Sequence, residues 1–396
     1  TITLQVDRKG TGEFKSYEQI SVDRYASHIF DPGFEAQWVR VLVDEDCRAS
    51  VSFQFSESEY RSTEEGVELF KGLAEVGETK VQSSLLFPNA SNRELSVCSS
   101  NGSNYEFDHL NFSFKKLIKE LRAVDCMTAA NLASQGAKVS KQNLGEKTLR
   151  EFLAPKMEFS VDDASVLLVS RENRSIVGKK GNHTVLRLPK GNPAFDQPLS
   201  FGHPRMHREL ESERMVANIH GTFYEVPFWI VGQPPLYTKM RPVSSHTKQI
   251  SDFSTWNGLL VMGGLKPGAQ SSEHVYLSKD GRASLWFGGI DDLWKLGKPV
   301  GIGGPWKNSK VEAGEPSDPY LMTGYDQKTL ALQADKDCKI IAEIDVDHWT
   351  GFHPYKTFNL KAGKKLTVQF PKGFAAHWIR FRSNLDILAS AQLTYW

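Results

Sequence analysis

Gly33-Phe34-Glu35-Ala36-Gln37-Trp38-Val39-Arg40, near the start of the chain, returns near its end as Gly373-Phe374-Ala375-Ala376-His377-Trp378-Ile379-Arg380. The likeness runs on into Arg48-Ala49-Ser50-Val51-Ser52-Phe53 against Leu388-Ala389-Ser390-Ala391-Gln392-Leu393. With a one-residue slip it reaches back to Thr11-Gly12 against Thr350-Gly351, so each copy covers about 55 residues. Within a copy, apolar and polar residues alternate, as in Trp38 to Val43 and Ala389 to Tyr395, and turns rich in Gly, Asp and Pro separate the runs. Period-two alternation of this kind predicts short antiparallel strands. A smaller echo, Asp44-Glu45-Asp46-Cys47-Arg48 against Asp335-Lys336-Asp337-Cys338-Lys339, admits a hairpin-sized unit as well.

Working inward, Gln249 to Phe253, Gly258 to Met262, His274 to Ser278 and Ala283 to Phe287 form a row of four strand candidates, about 40 residues in all, the length of one propeller blade. Between the last two lies Ser278-Lys279-Asp280-Gly281-Arg282-Ala283-Ser284-Leu285-Trp286, which resembles the Asp-box hairpin of sialidase-like propellers. There the Asp bonds the turn backbone and the Trp packs inward, so Asp280 is read as structural. Phe114, Leu117 and Leu121 sit at helical spacing and predict a surface helix over 112–121. The expectation is all-β: a single seven-bladed β-propeller over residues 1–396, with six or eight blades as alternatives. The terminal modules, about 1–57 and 340–396, are placed side by side at ring closure, which removes exposed strand edges.

Lys plus Arg number 48 and Asp plus Glu 47, so no net field holds a nucleic-acid backbone or an anionic membrane. No apolar run reaches the roughly 18 residues of a membrane span. N-x-S/T triplets start at Asn89, Asn101, Asn111, Asn173 and Asn182, and the chain begins at Thr1, which together predict a secreted, extracellular glycoprotein with a processed leader. Cys47, Cys98, Cys126 and Cys338 lack zinc-ligand spacing and predict one or two disulfides. A monomer is expected.

The densest polar segment is Gly202-His203-Pro204-Arg205-Met206-His207-Arg208-Glu209, followed by Arg214 and by His220-Gly221-Thr222-Phe223-Tyr224, with Arg241 and His246 close behind. Imidazoles suit proton transfer near neutrality, and guanidinium forks suit a carboxylate. His220, His203 and Tyr224 are therefore the candidate proton-transfer groups, and Arg205 and Arg208 the candidate clamps. His207, Arg214, Arg241 and His246 are assigned to substrate binding. Trp294 and Trp306, on Gly-rich stretches, are candidate sugar-stacking rings. Asp291 and Asp292 are candidate calcium ligands, no organic cofactor is expected, and Walker, dinucleotide, HExxH and G-x-S-x-G patterns are absent.

Through the terminal Trp-containing repeats and the Gly202-to-Arg205 and His220-to-Tyr224 stretches, the chain resembles secreted seven-bladed propeller enzymes acting on L-rhamnosyl-α-1,4-glucuronate ends of arabinogalactan and gum arabic. What the resemblance implies is a polysaccharide lyase that releases terminal L-rhamnose by β-elimination from an acidic polysaccharide or oligosaccharide. A rhamnosidase using paired carboxylates from Glu213, Glu225, Asp252 and Asp291, or a carbohydrate-binding propeller without catalysis, are the alternatives.

Overall fold

A computed structural model describes residues 1–31, 33–55, 59–61, 66–88, 95–99, 103–116, 157–170, 177–180, 183–197, 199, 207–210, 214–227, 236–348 and 350–396. Their strands gather into six sheets. β1 (Ile2–Asp7), β2 (Lys15–Ile20) and β3 (Trp38–Val43) form an antiparallel sheet ordered β2-β1-β3. β4 (Ser84–Pro88), β5 (Leu95–Ser99), β6 (Asn104–Asp108) and β7 (Ser113–Lys116) form a four-stranded meander. Among β8 (Met157–Val161), β9 (Val166–Ser170), β10 (Lys179–Lys180) and β11 (His183–Leu188), β9 lies between β8 and β11, and β10 pairs with β11. A second meander comprises β12 (His207–Leu210), β13 (Arg214–Ile219), β14 (Thr222–Pro227) and β15 (Arg241–Ser245). β16 (Phe253–Trp256), β17 (Leu259–Met262), β18 (Val275–Leu277) and β19 (Ser284–Gly288) lie in the order β16-β17-β19-β18.

The last module contains β20 (Gly301–Val311), β21 (Tyr320–Leu321), β22 (Lys328–Ala334), β23 (Cys338–Asp345), β24 (His353–Leu360), β25 (Leu366–Gln369), β26 (Trp378–Ser383) and β27 (Ile387–Tyr395). One sheet runs β20-β27-β22-β25, and the other begins β24-β23-β26-β21. A parallel pair, Arg187 with Tyr320, extends the second sheet through β11 to β9 and β8. Period-two burial drives the packing: along β27, Ile387, Ala389, Ala391, Leu393 and Tyr395 point inward and the residues between them face out. These meet Ile340, Ala342, Ile344 and Phe381 of the opposite sheet in one core, which also takes in Ala217, Ile219, Tyr224 and Val226 from β13 and β14.

The terminal repeat is real in three dimensions. β1, β2 and β3 correspond to β23, β24 and β26: Asp7 pairs with Trp38 as Asp345 pairs with Trp378. A bulge falls between Leu4 and Gln5 in one copy and between Ala342 and Glu343 in the other. Arg40 lies 4.0 Å over the Phe14 ring and donates to Gln5 Oε1, while Arg380 lies 4.2 Å over Phe352 and donates to Glu343 Oε2. Even the Tyr17–Phe34 ring separation of 5.0 Å recurs between Tyr355 and Phe374. The two copies touch through Ser52 Oγ donating to Asp347 Oδ2 at 2.8 Å and through Tyr25 against His353, with ring centroids 4.2 Å apart. Among the described residues no ladder joins them.

Several expectations need correction. The described residues are mostly β, in several sheets of which none is closed, and they do not fix a number of blades. The first sheet has three strands, and the strands of the last module lie in two sheets that share one core. Residues 113–116 are strand β7 rather than helix, because Phe114 packs edge-on against Phe107 (centroids 5.0 Å apart) in a sheet. Asp44 to Arg48 follows β3, whereas Asp335 to Lys339 leads into β23, so that echo joins unlike positions. Three of the four central strand candidates lie in one sheet as β17, β18 and β19, the first, Gln249 to Phe253, gives way to β16 beginning at Phe253, and the Asp-box hairpin is as read. Asp280 accepts from Ser278 Oγ and Arg282 N, and the fully buried Trp286 donates Nε1 to the Leu69 carbonyl. Cys98 is disulfide-bonded, whereas Cys47 and Cys338 are free thiols.

Candidate functional site

His220 and Gly221 are the two residues between β13 and β14, with Ile219 paired to Thr222 across them. Both have positive φ, 52° and 77°, the conformation of the hairpin turn that matches strand twist. A Cβ on Gly221 would lie 2.5 Å from Phe195 Cε2, so the turn can only close with glycine there. The turn swings the His220 ring toward the 3-10 helix Pro193–Asp196, whose first turn Asn192 caps through Ala194 N. Nε2 of His220 stands 2.8 Å from Asp196 Oδ1, and Lys190 Nζ reaches the same carboxylate at 3.3 Å.

Burial pushes the His220 imidazole below its ordinary pKa, outweighing Asp196, which acts to raise it. Burial also acts to raise the Asp196 carboxyl, but bonds from His220 and Lys190 outweigh it and hold Asp196 below the usual range. The pair is therefore neutral imidazole and carboxylate at pH 7. Nε2 carries the proton and donates to Asp196, and Nδ1, buried and without a hydrogen-bond partner, keeps its lone pair. A ring oriented by a carboxylate with the opposite nitrogen unprotonated is the arrangement of a general base. Phe195 lies 6.0 Å from His220 and 5.9 Å, edge-on, from His246, bracketing the two imidazoles.

Strand direction sorts the remaining candidates. His207 pairs with Ala217 at the end of β12 nearest the His220 turn, with Arg208 next to it, and His246 follows β15 at that same end. His246 is a buried scaffold group: Nε2 donates to Asn218 Oδ1 at 3.1 Å, Nδ1 accepts from Lys248 N, and burial lowers its pKa to about 3. That engages both nitrogens and corrects its assignment to substrate. Arg214 and Arg241 lie toward the opposite end of the sheet, where Arg241 grips Glu225 Oε2 through Nε and Nη2. Tyr224 is wholly buried, its hydroxyl 3.4 Å from that of Tyr325 and pushed up to about 12 by burial. It is core, not a proton donor to substrate.

Trp306 is likewise core, 6.0 Å from the Phe381 ring, and Trp294 packs half-buried on the cluster around Trp286. A buried indole offers no stacking face, so Trp306 loses that role, whereas Trp294 keeps part of its surface open. Asp292 caps Gly289 N and pairs with Lys295, while Asp291 is exposed. Among the described residues no three His, Cys, Asp or Glu side chains converge as a metal site. His203, Arg205 and Glu213 lie outside the described residues.

A second cluster went unread in the sequence. Asp345 at the end of β23 accepts from Asp347 N and His348 N, and Asp347 stands beside it. Burial, reinforced by the Asp347 charge, raises the Asp345 carboxyl to about 7 and leaves Oδ2 without a hydrogen-bond partner. His348 and His377, rings 5.6 Å apart, are both lowered to about 4, chiefly by burial. His377 Nε2 donates to the Met240 carbonyl and Trp378 Nε1 to that of Thr238, so these residues seat the last module on the Tyr237–Lys239 turn. The signal lay in the difference between the copies: Lys9, Gly10 and Gln37 stand where Asp347, His348 and His377 do. Asp7 caps the same turn, accepting from Lys9, Gly10 and Gly12, which makes the Asp345 cap scaffold.

No protein-family model matches the chain, and no curated protein matches it. Among solved structures, the PBSX exported protein XepA aligns at 14% identity over 32% of this chain and 46% of its own, less than half its length, with a TM-score of 0.20. A glycoside hydrolase family 43 arabinoxylan arabinofuranohydrolase from Bacillus subtilis, solved with cellotetraose, aligns at 10% identity over 79% of this chain and 78% of its own, with a TM-score of 0.17. A structure described as a glycoside hydrolase aligns at 9% identity over 76% and 81%, with a TM-score of 0.16. Superpositions this loose carry no argument about fold or chemistry, and the functional reading rests on the residues themselves.

Proposed function

We propose that the chain is an extracellular carbohydrate-active enzyme, a lyase that removes terminal L-rhamnose from rhamnosyl-glucuronate ends of an acidic polysaccharide. The observation that carries this reading is the Asp196–His220 pair, with its neutral ring and unprotonated Nδ1. In β-elimination a base removes the proton beside the uronate carboxylate and the glycosidic oxygen departs from the adjacent carbon. Nδ1 of His220, buried in the free protein, takes the proton once substrate entry uncovers it, Asp196 stabilises the imidazolium formed, and Lys190 supplies positive charge nearby. Of the carboxylates a hydrolase would need, Glu225 is held by Arg241, and Asp252 is buried and accepts from Leu86 N and Phe253 N.

The test is His220→Ala against the wild-type chain on a rhamnosyl-glucuronate oligosaccharide. The expected result is release of rhamnose with an unsaturated uronate chromophore, reduced about 10²- to 10⁴-fold in the variant. Rhamnose released without the chromophore assigns a hydrolase instead, and a variant as fast as wild type removes His220 from the mechanism.

A further inference from the structure

We propose that Trp38, Arg40 and Gln37 form a second glycan subsite, on the outer face of the β1-β2-β3 sheet, which takes a uronic acid residue of an acidic polysaccharide. The class of ligand rests on the reading of the substrate given above; the geometry stands without it. The inner face of this sheet is closed, with Leu4 and Val6 only 4% and 5% exposed. Alternation places Trp38 and Arg40 together on the other face, opposite Asp7 and Gln5 and about 7 Å apart along the strand. There the Trp38 indole is 64% exposed, and Arg40 is exposed beside it. Gln37 lies along Gly10, where a Cβ would stand 3.6 Å from its Cβ and Cγ and 3.9 Å from the indole Nε1.

The two copies of the repeat differ in what covers this face. In the last module Trp378 is fully buried, its Nε1 donating to the Thr238 carbonyl while His377 reaches that of Met240. Glu343 also takes Arg380 at 2.6 Å and Arg382 at 3.4 Å, so the guanidinium charge there is compensated. In the first copy Gln5 stands where Glu343 does. Neutral Gln5 accepts from Arg40 Nε at 2.9 Å and the Phe14 ring supports the guanidinium at 4.0 Å, but no carboxylate among the described residues pairs with it. Its Nη atoms are therefore a held, uncompensated cationic fork, suited to a carboxylate. Gly10 and Gln37 stand in place of His348 and His377, which clears the flank of the indole and leaves a neutral amide there. An exposed indole stacks on the apolar face of a pyranose ring, and the amide bonds its hydroxyls. A neutral glycan would use the indole and the amide alone; a uronate satisfies ring and guanidinium together.

The NMR signal of the Trp38 indole N–H, identified by its loss in Trp38→Phe, reads this site alone in the full chain. The probe is a glucuronate hexasaccharide, compared with its carboxyl-reduced counterpart. The expected result is a saturable shift of the Trp38 signal by the acid, with a midpoint about 10-fold or more below that of the reduced sugar. Arg40→Gln should raise the midpoint for the acid about 10-fold and leave that for the reduced sugar unchanged. An unmoved signal at millimolar acid overturns the proposal, as does an equal response to both sugars or a midpoint indifferent to Arg40→Gln. So does a signal that moves with protein concentration alone, alongside a dimer in light scattering, because the face then belongs to a second copy. His220→Ala should leave this titration as it is. Rhamnose release without a Trp38 shift removes only the subsite, and a Trp38 shift without release removes only the lyase.

Discussion

Lowering the pH from 6.5 to 4 should unfold this protein through its buried imidazoles, and the slope can be worked out. His246 falls from 6.5 to about 3, and His348 and His377 to about 4, all principally by burial. Between pH 4 and 6.5 each is protonated when unfolded and neutral when folded, so stability is lost as pH falls through that window. Asp345 opposes them: its carboxyl, raised from 3.8 to about 7, stays protonated in the fold while the unfolded chain has released the proton, which favours folding at the acid end. Three protons against one leave a net uptake of two on unfolding from these four groups, about 2.7 kcal/mol per pH unit. His220, also lowered by burial, acts in the same direction. Urea midpoints measured from pH 4 to 8 should peak near the histidine value and fall on the acid side. His246→Gln should remove about one proton, roughly halving the acid slope, while Asp345→Asn should steepen it. A maximum below pH 5, or a slope indifferent to His246→Gln, would refute the reasoning.

Two further outcomes test the packing. Trp378→Ala should cost about 3–5 kcal/mol, because the ring is fully buried and its Nε1 holds the Thr238 carbonyl, whereas Trp38→Ala at the matching position, 64% exposed, should cost under about 1 kcal/mol; urea unfolding of each compares them. Gly221→Ala, facing Phe195 at a positive φ, should lower the melting temperature by several degrees and widen the His220–Asp196 separation, seen as a changed His220 titration by NMR.

Much of the strand content was legible because alternation is a local property: the terminal copies, the central sheet and the Asp-box hairpin all appear in runs of a few residues. What alternation does not encode is which strands become neighbours. β27 continues the repeat in sequence, yet it leaves the sheet of β26 for the opposite one. The proposed site was readable in part for a similar reason. His220 beside a glycine announced a turn, but its partner Asp196 arrives from a separate 3-10 helix and carries no sequence mark. Tyr224 and Trp306 looked like surface chemistry because aromatic residues with polar tips are common in cores and sites alike; only their neighbours Tyr325 and Phe381 decide. The acid–imidazole cluster needed the two copies aligned turn by turn, since it resides in three substitutions spread over 31 residues (347 to 377).

The buried phenols carry one more implication. Tyr224 of β14 meets Tyr325, Tyr325 stacks on Tyr395 at 4.4 Å, and Tyr395 donates to the Leu321 carbonyl, all inside the core shared by the β12–β15 sheet and the last module. Neither side can separate without flooding that core, so heat should melt them as one cooperative unit. The first copy is held to the second by a serine hydroxyl and one ring contact. A calorimeter should therefore record an early, small absorption for the sheet of β1, β2 and β3 ahead of the main one, making two similar designs the least and the most persistent parts of one molecule.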